Sequence, residues 1–250
     1  MNPGLMGLYV EKWMDNEQVK ETGYKVLHKN KFTCSSCKVQ SPPAKGECEH
    51  GWLVPVDPEH AAFAVRDEND GIVLCPVCLA AASLNHSTSP GNVRGSLIYA
   101  PGFTQAQISR LAIMSRVASM VLEQSDPARQ MVVDIELAFG GGQMREELRT
   151  DKAYGGSESD YAFAVALASL SDEAYKMRDN ALQNIKFWPA ADSFSEFYQH
   201  LSKHNPNFNL KKLVAASQKL IASEQKQQKK SKKENKQEEA SDSVRNEAPF

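Results

Sequence analysis

Up to about residue 100 the apolar positions of this chain fall in short runs bounded by Pro, Gly, Asn and Asp; beyond it they recur at helical spacing. Short runs between turn formers predict strands. Leu8-Tyr9-Val10 reads as one, inside an N-terminal lead-in segment over residues 5–28 that passes through Tyr24-Lys25-Val26-Leu27 toward Phe32. Trp52-Leu53-Val54-Pro55-Val56 and Ala61-Ala62-Phe63-Ala64-Val65 form a candidate hairpin turned at Asp57-Pro58-Glu59-His60. Asn69-Asp70-Gly71 then turns the chain into Ile72-Val73-Leu74, and Ala80-Ala81-Ala82 favours a helix between Pro76 and His86. Ser96-Leu97-Ile98-Tyr99 is a further strand, ending at Pro101-Gly102.

The second half reads as helices. Thr104 with Gln107 is a capping box, followed at helical spacing by Ile108, Leu111, Ala112, Ala118, Val121 and Leu122. Ser125-Asp126-Pro127 stops that helix and opens another, with Pro at the tolerated first position. Met131, Ile135, Ala138 and Phe139 give it an apolar face, and Gly140-Gly141-Gly142 ends it. Helices are also expected over 158–168, from Ser171, after a second capping box of Ser193 and Glu196, and from Asn209 through Leu220 and Ile221. Beyond Ser223 the composition turns to Lys, Gln and Glu. Such a tail cannot bury enough surface to offset its ordering entropy, so disorder is expected there.

Two Cys-x-x-Cys pairs punctuate the strand-rich half, Cys34-Ser35-Ser36-Cys37 and Cys75-Pro76-Val77-Cys78. A Cys-x-x-Cys turn delivers two sulfurs to one side of a metal, and two such turns complete the tetrahedral shell that Zn²⁺ takes. Zinc ligation by Cys34, Cys37, Cys75 and Cys78 is the reading. Cys48 and His50 lie between the pairs, but four sulfurs already satisfy the ion. Knuckle, hairpin, knuckle and helix is the treble-clef order. The expected fold class is therefore α+β: a zinc-bound treble-clef ββα domain over residues 1–102, a helical region over 103–222 packed on it, and the tail 223–250.

Composition narrows the function. The 250 residues carry 41% hydrophobic and 24% charged side chains with a formal charge of −2, ordinary for a globular protein and no attraction for nucleic acid. Lys29, Lys31, Lys38 and Lys45 near the cysteines are scattered rather than patched, and Glu dilutes the tail lysines. With five cysteines, four of them at metal spacing, a disulfide framework is not expected and a reducing compartment is. No signal peptide is read in Met1–Gly7 and no apolar run reaches transmembrane length. Gly140-Gly141-Gly142-Gln143 lacks the Lys-Ser/Thr of a phosphate loop.

The order of motifs resembles the zinc-stabilised ββα unit of HNH-type nucleases. Those need a general-base His on the hairpin and a second His on the helix to hold a catalytic Mg²⁺. Here the hairpin positions read Val54-Pro55-Val56-Asp57, and Leu79 follows the second pair. Asn69 or Asp70 approximates the Asn that steadies the loop, and His60 and His86 are the remaining candidates for a rearranged site.

With the flanks included the resemblance becomes narrower. Val26-Leu27-His28-Lys29-Asn30-Lys31-Phe32-Thr33-Cys34, Leu74-Cys75-Pro76-Val77-Cys78 and Gly95-Ser96-Leu97-Ile98-Tyr99-Ala100-Pro101 with the capped helix after it resemble the DotN (IcmJ) family of the Dot/Icm type IVB secretion system. The likeness is most specific over residues 22–122 and ends before the tail. It implies a catalytically degenerate HNH-like zinc protein, with the four cysteines as ligands and no catalytic residue. It implies a cytoplasmic adaptor at the inner membrane, held by the C-terminal segment of a DotL-type coupling ATPase beside DotM-, IcmS- and IcmW-type subunits. The competing readings are an HNH-type endonuclease with a rearranged site and a nucleic-acid-binding zinc module.

Overall fold

A 13-residue helix, α1 (Glu17–Lys29), leads into the first cysteine pair, where the sequence pattern showed only a lead-in segment. The Asn16 side chain caps it by accepting from the amides of Gln18 and Val19. Its polar outer face, Glu17, Lys20, Glu21 and Lys25, carries exposed ion pairs, and Val26 and Leu27 face inward, fully buried. The computed structural model describes residues 13–205 apart from 59–63, 66, 89–91, 141–142, 158, 172 and 175–176. The expected strand at 8–10, His60, most of the second hairpin strand, the helix from Asn209 and the tail lie outside the described residues, as does the side chain of His86.

Strand β1 (Val54–Val56) pairs antiparallel with β2 (Ile72–Leu74), in the register Val54↔Leu74, Pro55↔Val73, Val56↔Ile72. Of the expected partner, 61–65, the described residues pair with β1 as well, through the antiparallel bridge Val56↔Ala64 and Val65 N donating to Pro55 O at 3.4 Å. Val73 and Leu74 of β2 sit in the core immediately before Cys75. Helix α2 (Pro76–Ala82) follows, then the short α3 (Leu84–Ser87); the single helix expected from Pro76 to His86 breaks at Ser83.

Strand β3 (Gly95–Tyr99) is where its sequence pattern placed it. Its partner β4 (Ile185–Pro189) is some ninety residues later, in register Gly95↔Pro189 to Tyr99↔Ile185. All five β4 residues are buried, so no alternation marks the strand in the sequence. Two side chains close the ribbon's edges. The Gln105 amide donates to Phe187 O (2.9 Å) and accepts from Phe187 N (2.8 Å), as a neighbouring strand would. On the other edge the Asp160 carboxylate accepts from Leu97 N at 3.0 Å. Both edges of the two-stranded ribbon are thereby shielded from further pairing.

Around the ribbon lie α4 (Gln105–Val121), α5 (Pro127–Gly140), α6 (Gln143–Thr150), α7 (Asp160–Ala168), the one-turn α8 (Arg178–Ala181) and α9 (Ser195–His204). The Thr104–Gln107 capping box forms on α4 as read. On α5 the buried face is Val132, Ile135 and Phe139, whereas Ala138 is exposed. The second box does not form. A 3₁₀ turn over Asp192–Phe194 runs directly into α9, Phe194 occupies the cap position without a side-chain bond, and Ser193 Oγ turns to Val93 O.

Helix α4 is buried on two faces. Ile113 and Val117 join the cysteines, Val26, Leu53, Phe187, Phe197, Tyr198 and Leu201 in one core. Ile108, Leu111 and Ala112 join Ile98, Ile135, Phe139 and Trp188 in a second. A third gathers Leu97, Leu148, Phe163 and Ile185 under α7. Among the described residues the fold is thus α+β, two small antiparallel sheets among helices. No helix among the described residues is long and apolar enough to cross a membrane.

Candidate metal centre

After α1 the chain turns through two residues of positive φ, Lys31 and Phe32, and closes a knuckle around the first cysteine pair. Cys34 N donates to Val39 O and Lys38 N to Cys34 O, with Lys38 at φ 62°. This tight turn holds Cys34 and Cys37 on one side of a small space. The second pair is placed by a helix start. Cys75 is the N-cap of α2 and its sulfur accepts from Cys78 N at 3.4 Å; Pro76 fills the first helical position at no cost in hydrogen bonds. A seam joins the two halves. Ser35 N donates to Val73 O (2.7 Å), Val73 N donates to Ser35 Oγ (3.1 Å), and Cys75 N donates to Cys34 Sγ (3.4 Å).

The result brings together all four cysteines singled out in the sequence. Their sulfurs lie within 4.8 Å of one another, and each residue is buried. The distance from Cys37 Sγ to Cys75 Sγ is 3.7 Å. That is far longer than the roughly 2.05 Å of a disulfide and matches the edge, about 3.8 Å, of a tetrahedron whose metal–sulfur bonds are about 2.3 Å. The donor set and the spacing fit a tetrahedral metal ion. Without a cation such a cluster cannot hold four charges: hydrogen bonds from Cys37, Cys75 and Cys78 pull the Cys34 thiol far down, while burial pushes Cys75 far up. A divalent ion makes the thiolate favourable at every position at once.

Cys48 and His50 stand apart as a local pair, 3.5 Å from Cys48 Sγ to His50 Nε2. Trp52 N also donates to that sulfur, and burial raises the Cys48 thiol. A buried thiol of raised pKa is inert. The His50 ring packs edge-on between Trp13 and Trp52. Among the described residues only the four paired cysteines form a group able to hold a metal.

Pro55 and Val56 are buried in β1 and Leu79 is buried on α2. Ser35 is the contributor that spacing could not reveal, because its role depends on β2 lying beside the knuckle. No protein-family model matches the chain, and no curated protein matches it.

Proposed function

We propose that this chain is a non-catalytic, zinc-stapled adaptor subunit of a type IVB secretion coupling complex, similar to DotN. The observation that carries the reading is the closed four-cysteine cluster: four buried thiols fill a tetrahedral shell, so no position is left for the water or substrate a catalytic zinc requires. Thiolate donors favour zinc over hard cations such as Mg²⁺. Apolar Pro55, Val56 and Leu79, in place of histidines, support the non-catalytic reading.

The zinc then acts by fixing shape. Metal uptake and folding are one process when the ligands come from distant segments, and structural zinc contributes on the order of 10–16 kcal/mol in small domains. The surface so fixed binds the cytoplasmic C-terminal segment of a DotL-type ATPase at the inner membrane, beside DotM-, IcmS- and IcmW-type subunits, and supports effector recruitment. A tagged copy should retain a coupling ATPase from detergent-solubilised membranes, and consistent failure to do so counts against the role. Mg²⁺-dependent nicking of plasmid DNA that disappears in His60→Ala would replace it with the nuclease reading.

A further inference from the structure

The four sulfurs of the metal centre are not held alike. Cys34 Sγ accepts from Cys75 N and Cys75 Sγ accepts from Cys78 N, each at 3.4 Å. Among the described residues no backbone amide donates to the sulfur of Cys37 or Cys78, and the contact of Cys37 Sγ is the Cys75 sulfur at 3.7 Å. Exposure divides the set in the same way. Cys34 and Cys75 are completely buried, whereas Cys37 keeps 2% of its surface and Cys78 4%. The first cysteine of each pair lies at the seam, Cys34 beside the Ser35–Val73 bond and Cys75 directly after β2. The second stands nearer solvent: Lys38, next to Cys37, and Ala82, one turn after Cys78, are both exposed.

We infer that Cys37 and Cys78 are the chemically reactive ligands of this centre, the positions at which a soft electrophile modifies it and releases its metal, while Cys34 and Cys75 anchor it. The inference rests on the zinc reading above. All four ligands are thiolates once the ion is bound, so ionisation does not rank them. What ranks them is the availability of the sulfur lone pair. An amide that donates to a thiolate sulfur draws on the electron density that a nucleophile must offer. A sulfur without solvent contact is reached only after local opening, and cysteine modification follows exposure. Both effects protect Cys34 and Cys75; at Cys37 and Cys78 the first is missing and the second is weaker.

In the modifying step the Cys37 or Cys78 thiolate gives an electron pair to an alkene carbon of a maleimide. A carbon–sulfur bond forms, the sulfur–zinc bond breaks, and the neighbouring carbon takes a proton from water, leaving hydroxide. The thioether so formed carries no charge and is a poor partner for the ion, so the shell opens to a competing chelator.

The test treats the full chain, its zinc content measured beforehand, with substoichiometric N-ethylmaleimide beside a chromogenic zinc chelator. Singly modified protein is then mapped by tandem mass spectrometry. Adducts are expected on Cys37 and Cys78 about tenfold over Cys34 and Cys75, the rate effect of one hydrogen bond to a charged group, and in step with zinc release. In zinc-bearing protein, adducts spread evenly over the four ligands, adducts first on Cys34 or Cys75, or adducts on Cys37 and Cys78 that leave the zinc bound would each overturn the inference while the zinc reading stands. Protein that binds no zinc overturns both.

Discussion

Cys34 and Cys75 offer the same atom but are held by different means. Cys34 hangs from a knuckle whose left-handed turn residues fix it, and Cys75 caps a helix whose Cys78 amide donates to its sulfur. Replacing either removes a ligand without relieving the burial of the other three, so Cys34→Ser should lose the metal and several kcal/mol of stability. Calorimetry with parallel metal analysis checks it; an unchanged melting temperature with metal retained contradicts it. Cys48→Ser should keep the metal.

His50 and His200 carry a pH dependence. Burial lowers both, and His200 donates from Nε2 to Pro42 O at 2.9 Å. An unfolded histidine takes up its proton from about pH 6.5 downward, whereas these take it up only at lower pH when folded. Their stabilisation is therefore complete above about pH 6.5 and declines as the pH falls toward their folded values. At saturating zinc, the melting temperature should drop between about pH 7.5 and 5.5, and the drop should be smaller in the His50→Gln/His200→Gln double variant. An identical slope would contradict this.

At the scale of elements the side chains on the ribbon edges matter most. Gln105→Ala leaves Phe187 N and O without partners inside the core, at about 1–3 kcal/mol for each unsatisfied group. Urea unfolding should register it as the larger loss, against about 1 kcal/mol for Thr104→Ala, which removes only a helix cap. Equal effects would mean that Gln105 is no substitute strand.

These elements also show what the sequence could reveal. The four cysteines were legible because their chemistry lies in residue type and spacing, and α4 because its cap and its periodicity agree. Strand β4 was hidden: Ile185-Lys186-Phe187-Trp188-Pro189 is buried throughout, so it lacks the period of two that marks a half-exposed strand, and its partner is distant in sequence. Helix α1 was hidden by the opposite cause, since polar residues dominate its outer face. The 52–56 run was recognised as a strand, but its pairing with Ile72-Val73-Leu74 was not, because that pairing depends on Val73 and Leu74 entering the core beside the cysteines.

For the whole molecule, the cysteine cluster is part of the largest core rather than an appendage. Residues from α1, both sheets, α4 and α9 belong to the same buried cluster as the cysteines, so metal removal should be felt as far as Tyr198 and Leu201. Amide hydrogen exchange after chelation should show loss of protection in α9 together with α2; protection kept in α9 would mean that it folds without the metal. The most direct test is elemental analysis of the purified full chain with a parallel circular dichroism melt. The expected result is a single zinc per chain, with zinc and the cooperative melt both lost in the Cys34→Ser/Cys75→Ser double variant. Protein that carries no zinc, or that melts cooperatively at the same temperature without those two cysteines, would contradict the zinc staple.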